Sequence, residues 1–133
     1  MQWSDHFPSG CPPQTAENAT GEVYRLIKHD SPTPNDVRSW REENKDKECP
    51  EGVTECQSCG LSVYTEKADA CRVIRRIPRF KKAKPALGKL TPDLGVMLHT
   101  PSRVNPSHHT WWTPVSAQPW TVFQVVDISE AQL

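Results

Sequence analysis

Two adjacent histidines followed by two adjacent tryptophans form the most distinctive chemical feature of this sequence. His108 and His109 are followed by Thr110, Trp111 and Trp112. On a strand, neighbouring side chains point to opposite faces, so only one of the two imidazoles can face a given pocket. That imidazole could serve as a general base, a metal ligand or a hydrogen-bond donor, with one indole forming the wall of a ligand site. We favour the alternative, a core strand whose indoles fill volume and whose imidazole bonds a buried carbonyl.

Cys56 and Cys59 lie three positions apart, in the spacing of half a zinc site. Two thiolates at this spacing can bind one metal ion in a tight turn, and a structural zinc site needs four ligands. Cys49 and Cys71 are the candidates that would complete an all-cysteine set, and the two histidines could supply nitrogen instead. Zinc is therefore the one cofactor that the sequence suggests. We favour plain reduced thiols for all five cysteines, because an odd count without an export signal does not indicate a disulfide framework.

The window 71–90 carries eight basic residues and no acidic residue, although the net charge of the chain is zero. We assign a partner-binding surface to six of its basic residues and the tryptophan pair: Arg72, Arg75, Arg76, Arg79, Lys81, Lys82, Trp111 and Trp112. A nucleic-acid backbone would reward such a patch through counterion release, and Phe80 could add stacking on a base. The alternative is a solvated helix face opposite the acid-rich segment 36–55, which the pI of about 6.9 favours.

Tyr24 and Arg25 on the first predicted strand, with Glu130 near the end of the sequence, resemble a pattern of the ADP-ribosyltransferases. The resemblance implies that Arg25 grips NAD from an early strand and that Glu130 is a late catalytic carboxylate. It covers only these few residues, and the sequence lacks the Ser-Thr-Ser strand that the family places between them.

The elements that must position these residues are predicted from periodicity and from helix-capping residues. Strands are predicted at 22–28, 61–64, 86–90, 96–99, 110–113 and 121–126. Thr33 and Pro34 predict the start of a helix that runs to about residue 44. Thr65 predicts the cap of a second helix, which Pro78 ends. This order predicts an α+β fold with a mostly antiparallel sheet and two helices on one face, because the last four strands follow without intervening helices.

Length and composition predict a single small domain at residues 21–133, preceded by an irregular arm at residues 1–20. The chain has 133 residues, 13 of them proline, and 35% are hydrophobic, which fits one lean core with many loops. The sequence shows no secretory signal and no apolar run of the roughly 18 residues that a membrane span needs. We expect a cytosolic protein, of bacterial origin, that has no membrane partner.

A non-catalytic binding or interaction module that contacts a protein or a nucleic acid is the function that the sequence favours. No nucleophile, base and orienting group are arranged in a recognisable motif, and the core is small. The alternative is a small enzyme, such as a nucleotide- or NAD-using transferase, whose pocket combines Arg25 with His108 or His109 and the tryptophan pair. In either case we expect strand alternation to place one tryptophan in the core and the other beside a groove.

Overall fold

A seven-stranded antiparallel sheet organises the protein in this computed structural model, which describes residues 1–127. The strands are β1 (Glu17–Asn18), β2 (Gly21–Ile27), β3 (Leu61–Tyr64), β4 (Lys84–Leu90), β5 (Val96–His99), β6 (His108–Trp112) and β7 (Phe123–Val125). Their order across the sheet is β1-β5-β6-β3-β2-β4-β7. The predicted α+β class is confirmed, and the six predicted strands are present with ends shifted by at most two residues. Strand β1 was not predicted and lies inside the arm that we expected to be irregular.

Three α-helices and four 3₁₀ turns connect the strands within residues 1–127. The helices are α1 (Trp40–Glu43), α2 (Glu55–Ser58) and α3 (Lys67–Arg76). Helix α3 contacts β2, β3 and β4, whereas α1 and α2 contact each other, so two helices covering one face are not confirmed. The N-cap of α3 is Glu66 rather than Thr65, and Pro78 follows its end as predicted. None of these described helices has the length and apolar composition needed to cross a bilayer.

The first predicted helix is broken into two pieces. Pro34–Val37 forms a 3₁₀ turn, Arg38 is extended with φ −98° and ψ 137°, and α1 begins after Ser39. A capping box explains the break, because Ser39 accepts from the backbone N–H of Glu42 while the Glu42 carboxylate accepts from the backbone N–H of Ser39. A second helix start at Ser39 is therefore more stable than a continuous helix through Arg38.

Strand β2 joins the two halves of the sheet. It pairs with β4 over seven residues, from Gly21↔Leu90 to Ile27↔Lys84. With β3 it has a single registered pair, Tyr24↔Tyr64. The two strands separate next to this pair, and Arg25 lies at the resulting opening.

One face of the sheet carries the main hydrophobic core. Val23, Ile27, Val63 and Trp111 are buried there together with Phe123. Alternate residues of a pleated strand share a face, which is why the period-two pattern of β2 places its valine and isoleucine together. On the opposite face, α3 covers a smaller cluster that includes Tyr64, Ala70 and Val73.

A disulfide ties the N-terminal segment to the rest of the fold, so the prediction that all five cysteines are free thiols is wrong. Cys11 is bonded to Cys56, and Cys49, Cys59 and Cys71 remain as thiols. Sequence spacing could not reveal this bond, because its two cysteines are 45 positions apart. The bond also removes the thiol-based reason for expecting a reducing compartment.

Candidate functional site

Both tryptophans of β6 are buried, so the prediction that one of them borders a groove is wrong. Trp111 has no exposed surface and Trp112 is 2% exposed. The indole N–H of Trp111 donates to the Leu94 carbonyl at 2.9 Å. That of Trp112 donates to the Cys56 carbonyl at 2.8 Å. Buried indoles with satisfied donors are core residues, and neither belongs to the partner-binding surface that the sequence predicted.

Arg25 is held at the opening between β2 and β3 by backbone carbonyls. Its guanidinium donates to the carbonyls of Asp36 and Ser62 at 2.9 and 2.8 Å, and to that of Arg38 at 3.4 Å. Burial lowers the pKa of Arg25 to about 10, with Glu43 acting in the opposite direction, so the side chain remains charged at neutral pH. The bond to Ser62 joins β2 to β3 and the other two join β2 to the segment after it, which explains why an arginine is found in an interior strand.

His108 and Arg25 lie on opposite faces of the sheet, so the predicted pocket that would combine them is not formed. His109 shares the face of Arg25, since it alternates with His108 along β6. The ring of His109 stacks on that of His99 with 4.7 Å between centroids. Its Nδ1 lies 2.8 Å from the Ser107 carbonyl. His109 is thus engaged with its own strand and with β5.

His108 belongs to a hydrogen-bonded chain on the face that α3 covers in part. Its Nε2 lies 2.9 Å from Ser62 Oγ, and its Nδ1 lies 2.8 Å from the backbone carbonyl of Thr100 and 2.9 Å from the hydroxyl of the same residue. Because a carbonyl can only accept, Nδ1 carries the proton and Nε2 accepts from the Ser62 hydroxyl. Burial lowers the pKa of His108, and the Thr100 carbonyl opposes this effect without reversing it. The imidazole is therefore neutral at pH 7.

His108 also lines a cavity of about 550 Å³ between α2 and the segment that follows β5. The lining residues are Gly52, Val53, Gln57, Thr100, Pro101, Ser102 and His108. A volume in this range suits a small organic ligand. A second cavity of about 380 Å³ is lined from residues 91–94 and 116–122 and contains no histidine or cysteine.

The cysteines predicted for zinc are not assembled into a site. Cys56 is bonded to Cys11 and has no thiolate to offer. Burial raises the pKa of Cys59 and of Cys71, which keeps both as protonated thiols. Cys49 lies beside the guanidinium of Arg41 at 3.4 Å. Within the part of the chain that the structure describes, no three histidine, cysteine or acidic side chains are placed to hold a metal ion.

Five of the six predicted basic residues form an exposed surface at the end of α3 and in the turn that follows. This basic surface consists of Arg75, Arg76, Arg79, Lys81 and Lys82. The sixth, Arg72, instead pairs with Asp69 and donates to the Val104 carbonyl at 2.9 Å. The guanidinium of Arg79 lies over the ring of Phe80, 4.9 Å from its centroid. Phe80 packs against the cluster under α3, so its ring positions Arg79.

The ionised side chain of Asp69 leads us to expect that the protein loses stability in acid. Burial opposes its ionisation, but hydrogen bonds from Ser107 and Arg72 outweigh burial and lower its pKa. The ionised carboxylate therefore stabilises the fold fully above the ordinary value of 3.8, and this contribution is lost as the pH falls through the lower folded value. We expect the free energy of unfolding, measured in denaturant, to decrease below about pH 4. The decrease should be smaller in Asp69→Asn than in the wild type, and the exposed control Asp46→Asn should show the same decrease as the wild type. Identical pH curves for the wild type and both variants would contradict this role of Asp69.

Ser62 and Thr100 are members of the site that the sequence does not identify. Ser62 lies in a correctly predicted strand. Its polar side chain between Leu61 and Val63 is the one feature of the sequence that could have suggested a functional role. The partner strand β6 follows 46 positions later, and local periodicity does not encode which strands become neighbours.

Comparisons with known proteins provide no assignment for these features. No family model, no curated protein and no solved structure matches the chain. Glu130 lies outside the described residues. The resemblance to ADP-ribosyltransferases therefore depends on Tyr24 and on Arg25, whose guanidinium is directed at backbone carbonyls.

Proposed function

We propose that this protein is a binding module that contacts nucleic acid through its basic surface. The observation that carries the proposal is the clustering of five exposed basic side chains in a window, residues 71–90, that contains no acidic residue. Such a cluster attracts phosphates and releases their counterions, and each arginine can bond one phosphate through two N–H groups.

The acid-rich segment 36–55 does not neutralise the basic surface. Within residues 1–127, no ion pair involves Arg75, Arg76, Lys81 or Lys82. Three of the seven acidic side chains in this segment, those of Asp36, Glu42 and Glu55, accept hydrogen bonds from residues 28–58, and in the described part of the chain none of the seven pairs with the basic surface, which supports an open surface over an internally neutralised one. Glu55, for example, accepts two hydrogen bonds from Arg41 at 2.6 and 2.7 Å.

Asp36 shows the same internal use of an acidic side chain. Its carboxylate accepts from the backbone N–H groups of Lys28 and Thr33 at 2.9 and 2.8 Å. It also lies 3.1 Å from His29 Nδ1. These bonds hold the loop after β2 in place. The carboxylate is buried and, among the described residues, it does not pair with the basic surface.

A nucleic-acid backbone fits the basic surface better than a folded protein does. Protein interfaces have an apolar centre surrounded by a polar rim. The large apolar side chains between the basic ones, Ile77 and Phe80, pack inward against the cluster under α3. The surface therefore offers charge without an apolar anchor, which is the character of binding to phosphate backbones.

The salt dependence of DNA binding tests this proposal. Five phosphate contacts predict that affinity for a labelled mixed-sequence DNA decreases roughly 10²- to 10³-fold between about 50 and 200 mM salt. Replacing four of the five basic residues with glutamine should change the slope of log affinity against log salt concentration from about −4 to about −1. The variant is Arg75→Gln, Arg76→Gln, Lys81→Gln and Lys82→Gln, followed by fluorescence anisotropy.

A charge-matched variant separates a local surface from the effect of net charge. It replaces four exposed basic residues elsewhere: Lys28→Gln, Lys45→Gln, Lys47→Gln and Arg103→Gln. We expect this control to retain the wild-type slope. No binding at low salt, equal losses in both variants, or competition by polyglutamate that equals competition by DNA would each overturn the nucleic-acid assignment. The last result would indicate an acidic protein partner.

A further inference from the structure

We propose that Ser62 and His108 form a nucleophile–base pair that catalyses acyl transfer from a small ester or thioester bound at the mouth of the 550 Å³ cavity, whose wall includes His108 while Ser62 lies next to it, 2.9 Å from Nε2 of His108. This activity is independent of the proposed nucleic-acid binding, because it uses residues on β3, β6 and the cavity wall and none of the basic surface.

The hydrogen bonds fix the direction in which a proton would move. Nδ1 of His108 donates to the Thr100 carbonyl at 2.8 Å, and the Thr100 hydroxyl beside it at 2.9 Å has Thr110 Oγ1 as an acceptor of its own proton, so the unprotonated Nε2 faces Ser62. At 2.9 Å, the Ser62 hydroxyl donates to Nε2, which is the arrangement that a general base needs to activate an alcohol. The carbonyl orients the imidazole as the third member of a catalytic triad would.

The environment of the two groups differs in the way that catalysis requires. Ser62 is exposed, so its oxygen can reach a substrate, whereas His108 is half-buried. Burial lowers the pKa of His108, and the base is therefore available at neutral pH and somewhat below it. Tyr64 contacts the imidazole edge-on at 5.4 Å between centroids and restricts its orientation.

The cavity supplies the remaining requirements. His108 and Gln57 both line it, and the side-chain amide of Gln57 makes no hydrogen bond within residues 1–127. This amide is a polar group on the cavity wall that can donate to a developing oxyanion. Val53 and Pro101 provide apolar surface for the acyl or leaving group.

The chemical steps are balanced without a cofactor. Ser62 Oγ attacks the carbonyl carbon, its proton moves to Nε2 of His108, and the C=O electron pair moves to oxygen. The tetrahedral intermediate then re-forms the carbonyl and breaks the bond to the leaving alcohol or thiol, which takes the proton from Nε2. Water repeats the sequence on acyl-Ser62 and releases a carboxylic acid and the free serine.

A fluorophosphonate probe tests the pair directly, since an activated serine displaces fluoride and forms an Oγ–P bond. We expect one adduct per folded protein, located on the peptide that contains Ser62 by mass spectrometry. Ser62→Ala should abolish it, and His108→Gln should slow labelling by roughly 10²-fold or more. The exposed control Ser116→Ala should label as wild type.

The pH profile distinguishes catalysis from a structural hydrogen bond. The labelling rate should remain high down to pH 6.5, the ordinary imidazole value, and decrease only below it. Hydrolysis of p-nitrophenyl acetate should follow the same profile and be lost in Ser62→Ala. Adducts on other serines, an adduct that heat-denatured protein also forms, or unchanged labelling in His108→Gln would overturn the proposal, whatever the result of the DNA-binding experiment.

Discussion

Replacing Trp111 or Trp112 with alanine should lower the free energy of unfolding by about 3–5 kcal/mol in each case. Trp111 contacts Phe123 in the main core, with 6.0 Å between ring centroids. Trp112 is packed so closely that a Cβ on Gly60 would lie 3.2 Å from its Nε1. Each truncation leaves a cavity, and truncation of Trp111 also removes the donor of the Leu94 carbonyl, in a fold whose total stability is on the order of 5–15 kcal/mol.

Denaturant titration followed by far-UV circular dichroism measures this effect. Trp3→Ala is the matched control, because Trp3 is half-buried in the N-terminal segment and stacks on Phe7 with 6.1 Å between ring centroids. We expect a clearly smaller loss for this variant. If either β6 variant unfolds at the wild-type denaturant concentration, the corresponding indole is not part of the core.

Removing the Cys11–Cys56 disulfide should cost about 4 kcal/mol, because the bond closes a loop across 45 positions and restricts the unfolded chain. Cys11→Ser and reduction of the wild-type protein should produce the same loss of stability in denaturant. Cys49→Ser is the control. This variant retains the Cys11–Cys56 disulfide, so reductant should lower its stability as it lowers that of the wild type.

Mass spectrometry provides an independent test of the same bond. Alkylation of the unreduced, denatured protein should label three thiols, and alkylation after reduction should label five. Five labels without reduction would contradict the disulfide. It would also restore the expectation of reduced cysteines that the sequence alone supports.

Patterns that repeat within a few residues predicted most of the sheet. The alternation in β2 and β3 places Val23 and Val63 on the core face, as expected from the period of two. Pro78 also ends α3, because proline lacks the N–H that a helix requires. Each of these features depends on neighbours along the chain, which is why the sequence alone predicts it.

Features that depend on distant neighbours were not predictable in the same way. The disulfide, the Ser62–His108 contact and the carbonyl partners of Arg25 all join segments that meet only after folding. The tryptophans show a second difficulty, because both faces of β6 are covered and alternation then no longer separates core from groove. For the basic surface, the sequence identified the residues, and the structure showed that Arg72 is used internally.

Chemical-shift mapping tests the proposed function most directly. In a ¹⁵N-labelled protein titrated with a short mixed-sequence DNA at about 50 mM salt, we predict shifts concentrated at residues 75–82. The cavity residues 52–57 and 100–102 should not respond. The shifts should reverse on raising the salt to about 200 mM, because the contacts are with phosphates. Shifts spread evenly over the protein, shifts centred on the cavity, or no shifts at millimolar DNA would contradict binding through the basic surface.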